Sequence, residues 1–182
     1  MQVPIELVKD AACQIAREDF YSFCRLLYPK FYTPKRTHLK TLCNTLQDFY
    51  ENKILDKNGN IAKNLMLLVA PRHGKSFTVQ NFCKFLLGKD NTQSAITISY
   101  NQSLSIRAGK EVRNAIMERS IEGGKIVYSD IFPDTKIKDG DGAQDCWALE
   151  GSHFSYLSTS PTGTLTGIGC KWMTIDDLLK DA

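Results

Sequence analysis

Leu65-Met66-Leu67-Leu68-Val69-Ala70-Pro71-Arg72-His73-Gly74-Lys75-Ser76 is the stretch on which the fold turns. Five apolar residues run from Leu65 to Val69, with Pro71 and Gly74 close behind. A run that short and wholly apolar predicts a strand buried on both faces of a parallel sheet. Helical spacing then predicts a helix from Lys75 to Leu87. The turn between them fits the phosphate-loop pattern GxxxxGK[ST], with Val69 standing where the first glycine belongs. The chemistry dictates these residue types. Main-chain N–H groups at a helix N-terminus face an anion and the helix dipole favours it, while Lys75 neutralises β and γ oxygens. The Ser76 hydroxyl ligates Mg2+, and Gly74 lets the backbone approach the phosphates with no Cβ in the way. Pro71, Arg72, His73, Gly74, Lys75, Ser76 and Phe77 are the candidate cofactor-binding residues. The plainer reading makes Gly74-Lys75-Ser76 a helix start after a proline turn. A buried strand before it and an amphipathic helix after it weigh for phosphate.

Outward toward the C-terminus, Ala95 to Ser99 predicts the next strand and Ser103 to Arg119 the next helix, so strand and helix alternate as in a βαβ unit. Cys146 to Leu149 and His153 to Leu157 predict two short strands forming a hairpin that turns at Gly151. A loop rich in Gly, Ser and Thr follows from Ser158 to Gly169, either a mobile element that follows nucleotide state or DNA, or a plain connection. Lys171 to Ile175 is an apolar strand ending in Asp176 and Asp177. Carboxylates at the C-terminal end of such a strand are placed as a phosphate-loop ATPase places its Mg2+ partners. Alone, two acids after an apolar run mean little. Behind the loop upstream they make a Mg-ATPase the leading reading, with Asp176 holding Mg2+ through water and Asp177 polarising the attacking water as general base.

Outward toward the N-terminus, apolar residues recur at three and four from Ile5 to Tyr28, which predicts one helix ended by Pro29 and Pro34. A second amphipathic helix carries Leu39, Leu42, Leu46 and Phe49 toward Lys53, and Asp56 to Asn60, with Gly59, predicts a turn. Lys30, Lys35, Arg36 and Lys40 face DNA phosphates or form a solvated basic linker. Residues 1–60 are thus a helical segment, and residues 61–182 the core.

The 182 residues suffice for one domain with its own apolar core. Lys plus Arg number 23 and Asp plus Glu 20, and the resulting net charge of +3 neither argues for a nucleic-acid partner nor excludes one. Six cysteines with no CxxC spacing predict reduced thiols, several of them buried, rather than a metal site. No run is long and apolar enough for a membrane span, so a cytoplasmic protein is expected.

The string Ala70-Pro71-Arg72-His73-Gly74-Lys75-Ser76 resembles the variant Walker A loop of tailed-phage terminase large subunits, in which Pro-Arg commonly precedes the glycine. Further segments match that family in order and approximate spacing. They are Phe85-Leu86-Leu87-Gly88-Lys89, Ile98-Ser99-Tyr100-Asn101, Glu111-Val112-Arg113, Asp130-Ile131-Phe132-Pro133, Gly163 to Gly169, and Ile175-Asp176-Asp177 with Lys180. The resemblance covers the chain from about Leu65 to its end. It implies an α/β P-loop NTPase of the additional-strand, conserved-Glu type, with a mainly parallel sheet flanked by helices and an N-terminal helical segment. The implied activity is Mg-ATP hydrolysis driving double-stranded DNA into a procapsid from the host bacterial cytoplasm. Portal and terminase small subunit are the implied partners, and a homo-oligomeric ring the implied assembly. Lys75, Asp177 and Arg72 are the implied catalytic residues, Arg72 as an arginine finger or else simply paired with a carboxylate, and Ser76 and Asp176 the implied Mg2+ ligands. Asp177 stands where many members have Glu.

The family binds adenine upstream of the loop. Tyr32 is placed to stack on the base, with Thr37 or His38 at its edge, or else Tyr32 is a hydrophobic staple. No sequence after Ala182 supplies a nuclease, so the chain is expected to lack nuclease activity, as a fragment or as a truncated prophage product. Two other readings remain: a helicase-like ATPase, and a non-catalytic nucleotide-binding assembly module.

Overall fold

The computed structural model describes residues 4–121, 123–163 and 167–176. The chain divides into two compact units, Met1–Phe82 and Cys83–Ala182, each considered by itself below.

The first unit opens with helices α1 (Ile5–Glu18) and α2 (Phe20–Leu27). The sequence predicts one helix over this region, and the structure corrects it: Asp19 is extended, with φ of −114°, and divides the two. Its carboxylate caps α2 by accepting from the Ser22 N–H at 2.7 Å. The break frees a carbonyl on one side and an N–H on the other, and one side chain serves both. Gln47 donates its amide to Glu18 O and accepts from the Phe20 N–H, each at 2.8 Å. Gln47 lies on α3 (Thr37–Tyr50), which buries Leu39, Leu42 and Leu46 as its spacing predicts and Cys43 besides, while Phe49 is half-buried. The turn at Asp56 also forms. Asp56 accepts from the Asn58 and Asn60 N–H groups at 2.8 and 2.9 Å, Gly59 has a φ of 81°, and Leu55 bridges Ile61.

Leu65 to Val69 does not form the predicted strand. It joins no ladder among the described residues. Its side chains alternate: Leu65, Leu67 and Val69 are half-buried, whereas Met66 is 82% and Leu68 89% exposed. A uniformly apolar run suggests two covered faces, and this one has partial cover on one face only. Helix α4 (Lys75–Lys89) begins where the sequence places it, and the boundary between the units falls within it.

The second unit holds β1 (Ala95–Ile98), α5 (Gln102–Met117), the short helix α6 (Tyr128–Ile131), β2 (Ile137–Gly142), β3 (Cys146–Leu149), β4 (Tyr156–Thr159) and β5 (Trp172–Ile175). These strands make one sheet in the order β2-β3-β4-β1-β5. β1 runs parallel to β4 and β5, while β2–β3 and β3–β4 are antiparallel. The expected mainly parallel P-loop sheet is therefore corrected to a mixed one. Chain connectivity explains the difference. β3 returns as β4 through a tight turn with Gly151 at φ 82°, which only antiparallel strands permit, whereas the route from β1 to β4 is long and includes α5. The strand expected ahead of the loop contributes nothing to the sheet.

Helix α5 packs across β4 and β1 and comes close enough that a Cβ on Gly109 would stand 2.3 Å from Ser158 Oγ. Ile96, Ile98 and Leu157 form an apolar cluster, and Trp147 stacks on Tyr156 with centroids 5.0 Å apart. None of the six cysteines is in a disulfide: Cys13, Cys24, Cys43 and Cys83 are buried, Cys170 is half-buried and Cys146 exposed.

Candidate functional site

The loop from Ala70 to Gly74 leads into a helix of 15 residues with Lys75 first and Ser76 second. Backbone φ is positive at Arg72 (63°) and at Gly74 (85°), but not at Pro71 or His73. For arginine this is an uncommon conformation that the surroundings must support. The sign of φ thus alternates, and where a right-handed residue precedes a left-handed one, main-chain N–H groups turn toward one point, the concave "nest" that accepts anions. One of these groups is already engaged: the His73 N–H closes a turn onto Ala70 O at 3.3 Å. The Thr78 N–H donates to Gly74 O at 2.9 Å and sets the first turn of α4. Helix geometry leaves the N–H groups of that turn without intrahelical carbonyls. Pro71, Arg72 and His73 are exposed, and Gly74, Lys75, Ser76 and Phe77 half-buried.

An aromatic cluster holds the loop from below. The Phe77 ring packs on Tyr28 and Phe31, each at 5.0 Å, and lies 6.1 Å from Tyr32. Phe31 also packs where a side chain on Gly74 would go, since a Cβ there would stand 2.8 Å from Phe31 Cζ and 3.1 Å from Leu39 Cδ2. The guanidinium of Arg36 lies 4.9 Å from the Phe31 centroid.

Tyr32 is not available to a nucleotide base, which removes the stacking platform from the two readings the sequence left open. It has no exposed surface. Its hydroxyl lies 3.0 Å from Thr78 Oγ1 and accepts from Asn81 Nδ2 at 3.1 Å. Burial pushes its pKa well above the ordinary tyrosine value. Tyr32 thus anchors the first two turns of α4. The signal in the sequence was the polar pair Thr78 and Asn81 on the otherwise apolar face of that helix. Thr37 and His38 are exposed at the start of α3, and the His38 ring lies 5.5 Å from that of His73. Lys30, Lys35 and Lys40 are exposed as well.

Asp176 follows β5 directly, as expected, and its N–H donates to Ile98 O at 2.9 Å. It belongs to the second unit, whereas Lys75 and Ser76 belong to the first. Asp177, the candidate base, lies outside the described residues, as do Thr164 to Thr166 of the Gly/Ser/Thr-rich loop and Lys180. Among the described residues no helix is long and apolar enough to cross a membrane. Compared with protein-family models, curated proteins and solved structures, the chain matches none.

Proposed function

We propose that the loop Pro71 to Ser76 binds the phosphates of a Mg2+-nucleotide, and that the chain is the ATP-binding part of a DNA-translocating motor similar to the terminase large subunits. The observation that supports this most is the pair of left-handed residues, Arg72 and Gly74, directly ahead of Lys75 at the start of a long helix. The reading rests on that loop and not on a parallel nucleotide-binding sheet. Main-chain N–H groups of the loop and of the first turn of α4 hold phosphate oxygens, and Lys75 balances their charge. Ser76 offers its hydroxyl to Mg2+, which when bound neutralises charge on the terminal phosphates. Arg72, exposed and one residue from the nest's centre, brings a second cation to the charge that develops during phosphoryl transfer. Such an arginine is worth about 10³- to 10⁵-fold in rate in other phosphoryl-transfer systems.

One observation favours the plainer reading, in which the loop is only a helix start. The contact of Phe31 and Leu39 with Gly74 accounts for that glycine by packing alone. Steady-state ATP hydrolysis with Mg2+ and double-stranded DNA separates the two, comparing the wild type with Lys75→Ala. A rate that requires Lys75 supports the motor. Nucleotide binding with no turnover leaves a non-catalytic module, and neither binding nor turnover leaves a structural turn.

A further inference from the structure

We propose that His38 and His73 together form a binding site for a borderline transition-metal ion such as Zn2+, Ni2+ or Cu2+, separate from any Mg2+ that a nucleotide brings. His38 is the second residue of α3 and His73 stands two residues ahead of α4, yet the rings lie 5.5 Å apart, centroid to centroid, at 68°. Both residues are exposed, so an ion reaches them without opening the fold. Metal–nitrogen bonds of about 2.0–2.1 Å at a tetrahedral angle hold two imidazole centroids about 5 Å apart. The observed separation exceeds that by roughly half an ångström, which a small ring movement covers.

The second nitrogen of His73 strengthens the case. Nδ1 lies 2.9 Å from Pro71 O. A carbonyl oxygen only accepts, so Nδ1 carries a proton, and in the neutral ring Nε2 is then the nitrogen with the lone pair. Metal-binding histidines are commonly held this way, with the other ring nitrogen donating to a backbone carbonyl. Imidazole nitrogens suit Zn2+, Ni2+ and Cu2+, whereas Mg2+ takes oxygen ligands. Among the described residues no group of three or more His, Cys, Asp or Glu side chains gathers to hold an ion. The site therefore supplies two protein ligands and leaves its other positions to water or an anion. Arg36, Lys40, Arg72 and Lys75, close by in sequence, oppose a cation and limit affinity. A bound ion ties the start of α3 to the loop ahead of α4. This inference holds whether or not the loop binds nucleotide.

The test is a calorimetric titration of the nucleotide-free full chain with NiCl2, repeated with MgCl2. The variants are His38→Gln and His73→Gln, with His153→Gln, the third histidine, and Cys146→Ser, the exposed thiol, as controls. The expected result is uptake of one Ni2+ that weakens by about tenfold or more in each of the first two variants. Uptake is unchanged in the two controls, and Mg2+ does not replace Ni2+. Because both candidate ligands are exposed and glutamine keeps their polarity, the variants retain the fold, which circular dichroism verifies. Absence of uptake at millimolar Ni2+, uptake that survives either substitution, or uptake lost equally in a control overturns the proposal and leaves an ordinary edge-to-face ring contact.

Discussion

Phe31 fills the space that a side chain on Gly74 would need, with its Cζ 2.8 Å from the position of such a Cβ. The left-handed backbone at Gly74, φ 85°, adds a second reason for glycine. Gly74→Ala is therefore expected to destabilise the fold by about 1–3 kcal/mol, measured by urea unfolding. Part of that loss comes from the aromatic ring and part from the backbone. Removing the ring in a Gly74→Ala/Phe31→Leu double variant should recover some of it, because contacting residues couple. A double variant that shows only the sum of the two single losses would show that the ring is not the obstacle.

Tyr32 holds Thr78 and Asn81 through one hydroxyl, and all three residues are fully buried. Tyr32→Phe keeps the ring in the aromatic cluster and takes the shared hydroxyl from Thr78 and Asn81, at a cost of about 1–3 kcal/mol. Thr78→Val in the same background should cost little more, since its partner is already gone. Equal and additive losses in a double-mutant cycle would contradict a shared bond.

Gln47 bridges the gap between α1 and α2. Gln47→Ala leaves the Phe20 N–H and the Glu18 carbonyl without that partner, an expected loss of about 1–2 kcal/mol. Asp19→Ala removes the cap of α2 and is expected to cost about 1 kcal/mol. Hydrogen exchange at Phe20 and Ser22 should quicken in the respective variants, and protection unchanged in both would contradict the described break.

These elements show what the sequence made legible. Period and composition located α3, α4, α5, β1, β3 and β5, and the hairpin turning at Gly151, because each depends on spacing within its own segment. The division at Asp19 was missed: apolar spacing passes through it unbroken, and the feature that stabilises it, Gln47, lies 28 positions away along the chain. Leu65 to Val69 was misread for a related reason. Apolarity reports a preference for burial, but a strand requires a hydrogen-bonding partner, which no local pattern contains. The loop Arg72 to Ser76 was proposed from residue type and order, while the positive φ at Arg72 and Gly74 appeared only in three dimensions. For Tyr32 the sequence left a stacking platform and a hydrophobic staple both open, because its aromatic character was visible and its burial was not.

Alkaline pH should weaken the fold through Cys83. Burial raises this thiol from 9.0 to about 12, with smaller opposing effects from Thr174 and Lys84. Below pH 9 both folded and unfolded chains keep the proton and the contribution is fully present. As pH rises from 9 toward 12 the unfolded chain releases it while the folded chain retains it, so stability falls. The buried hydroxyls of Tyr128 and Tyr156, also raised by burial, act in the same sense above their ordinary value of 10.0. Urea midpoints should decline through this window, and less steeply in Cys83→Ala. An identical slope in that variant would mean that the thiol is not held protonated by the fold.

In the function proposed above, a nest at Arg72 and Gly74, with Lys75 beside it, grips a nucleotide's phosphates. Calorimetric titration of the folded full chain with ATP and Mg2+, set against Lys75→Ala, tests it most directly. The expected result is saturable uptake that depends on Mg2+ and weakens by about tenfold or more when Lys75 is removed, the worth of one charge-assisted contact. Absence of uptake in the folded wild type, or equal uptake by both proteins, would contradict it.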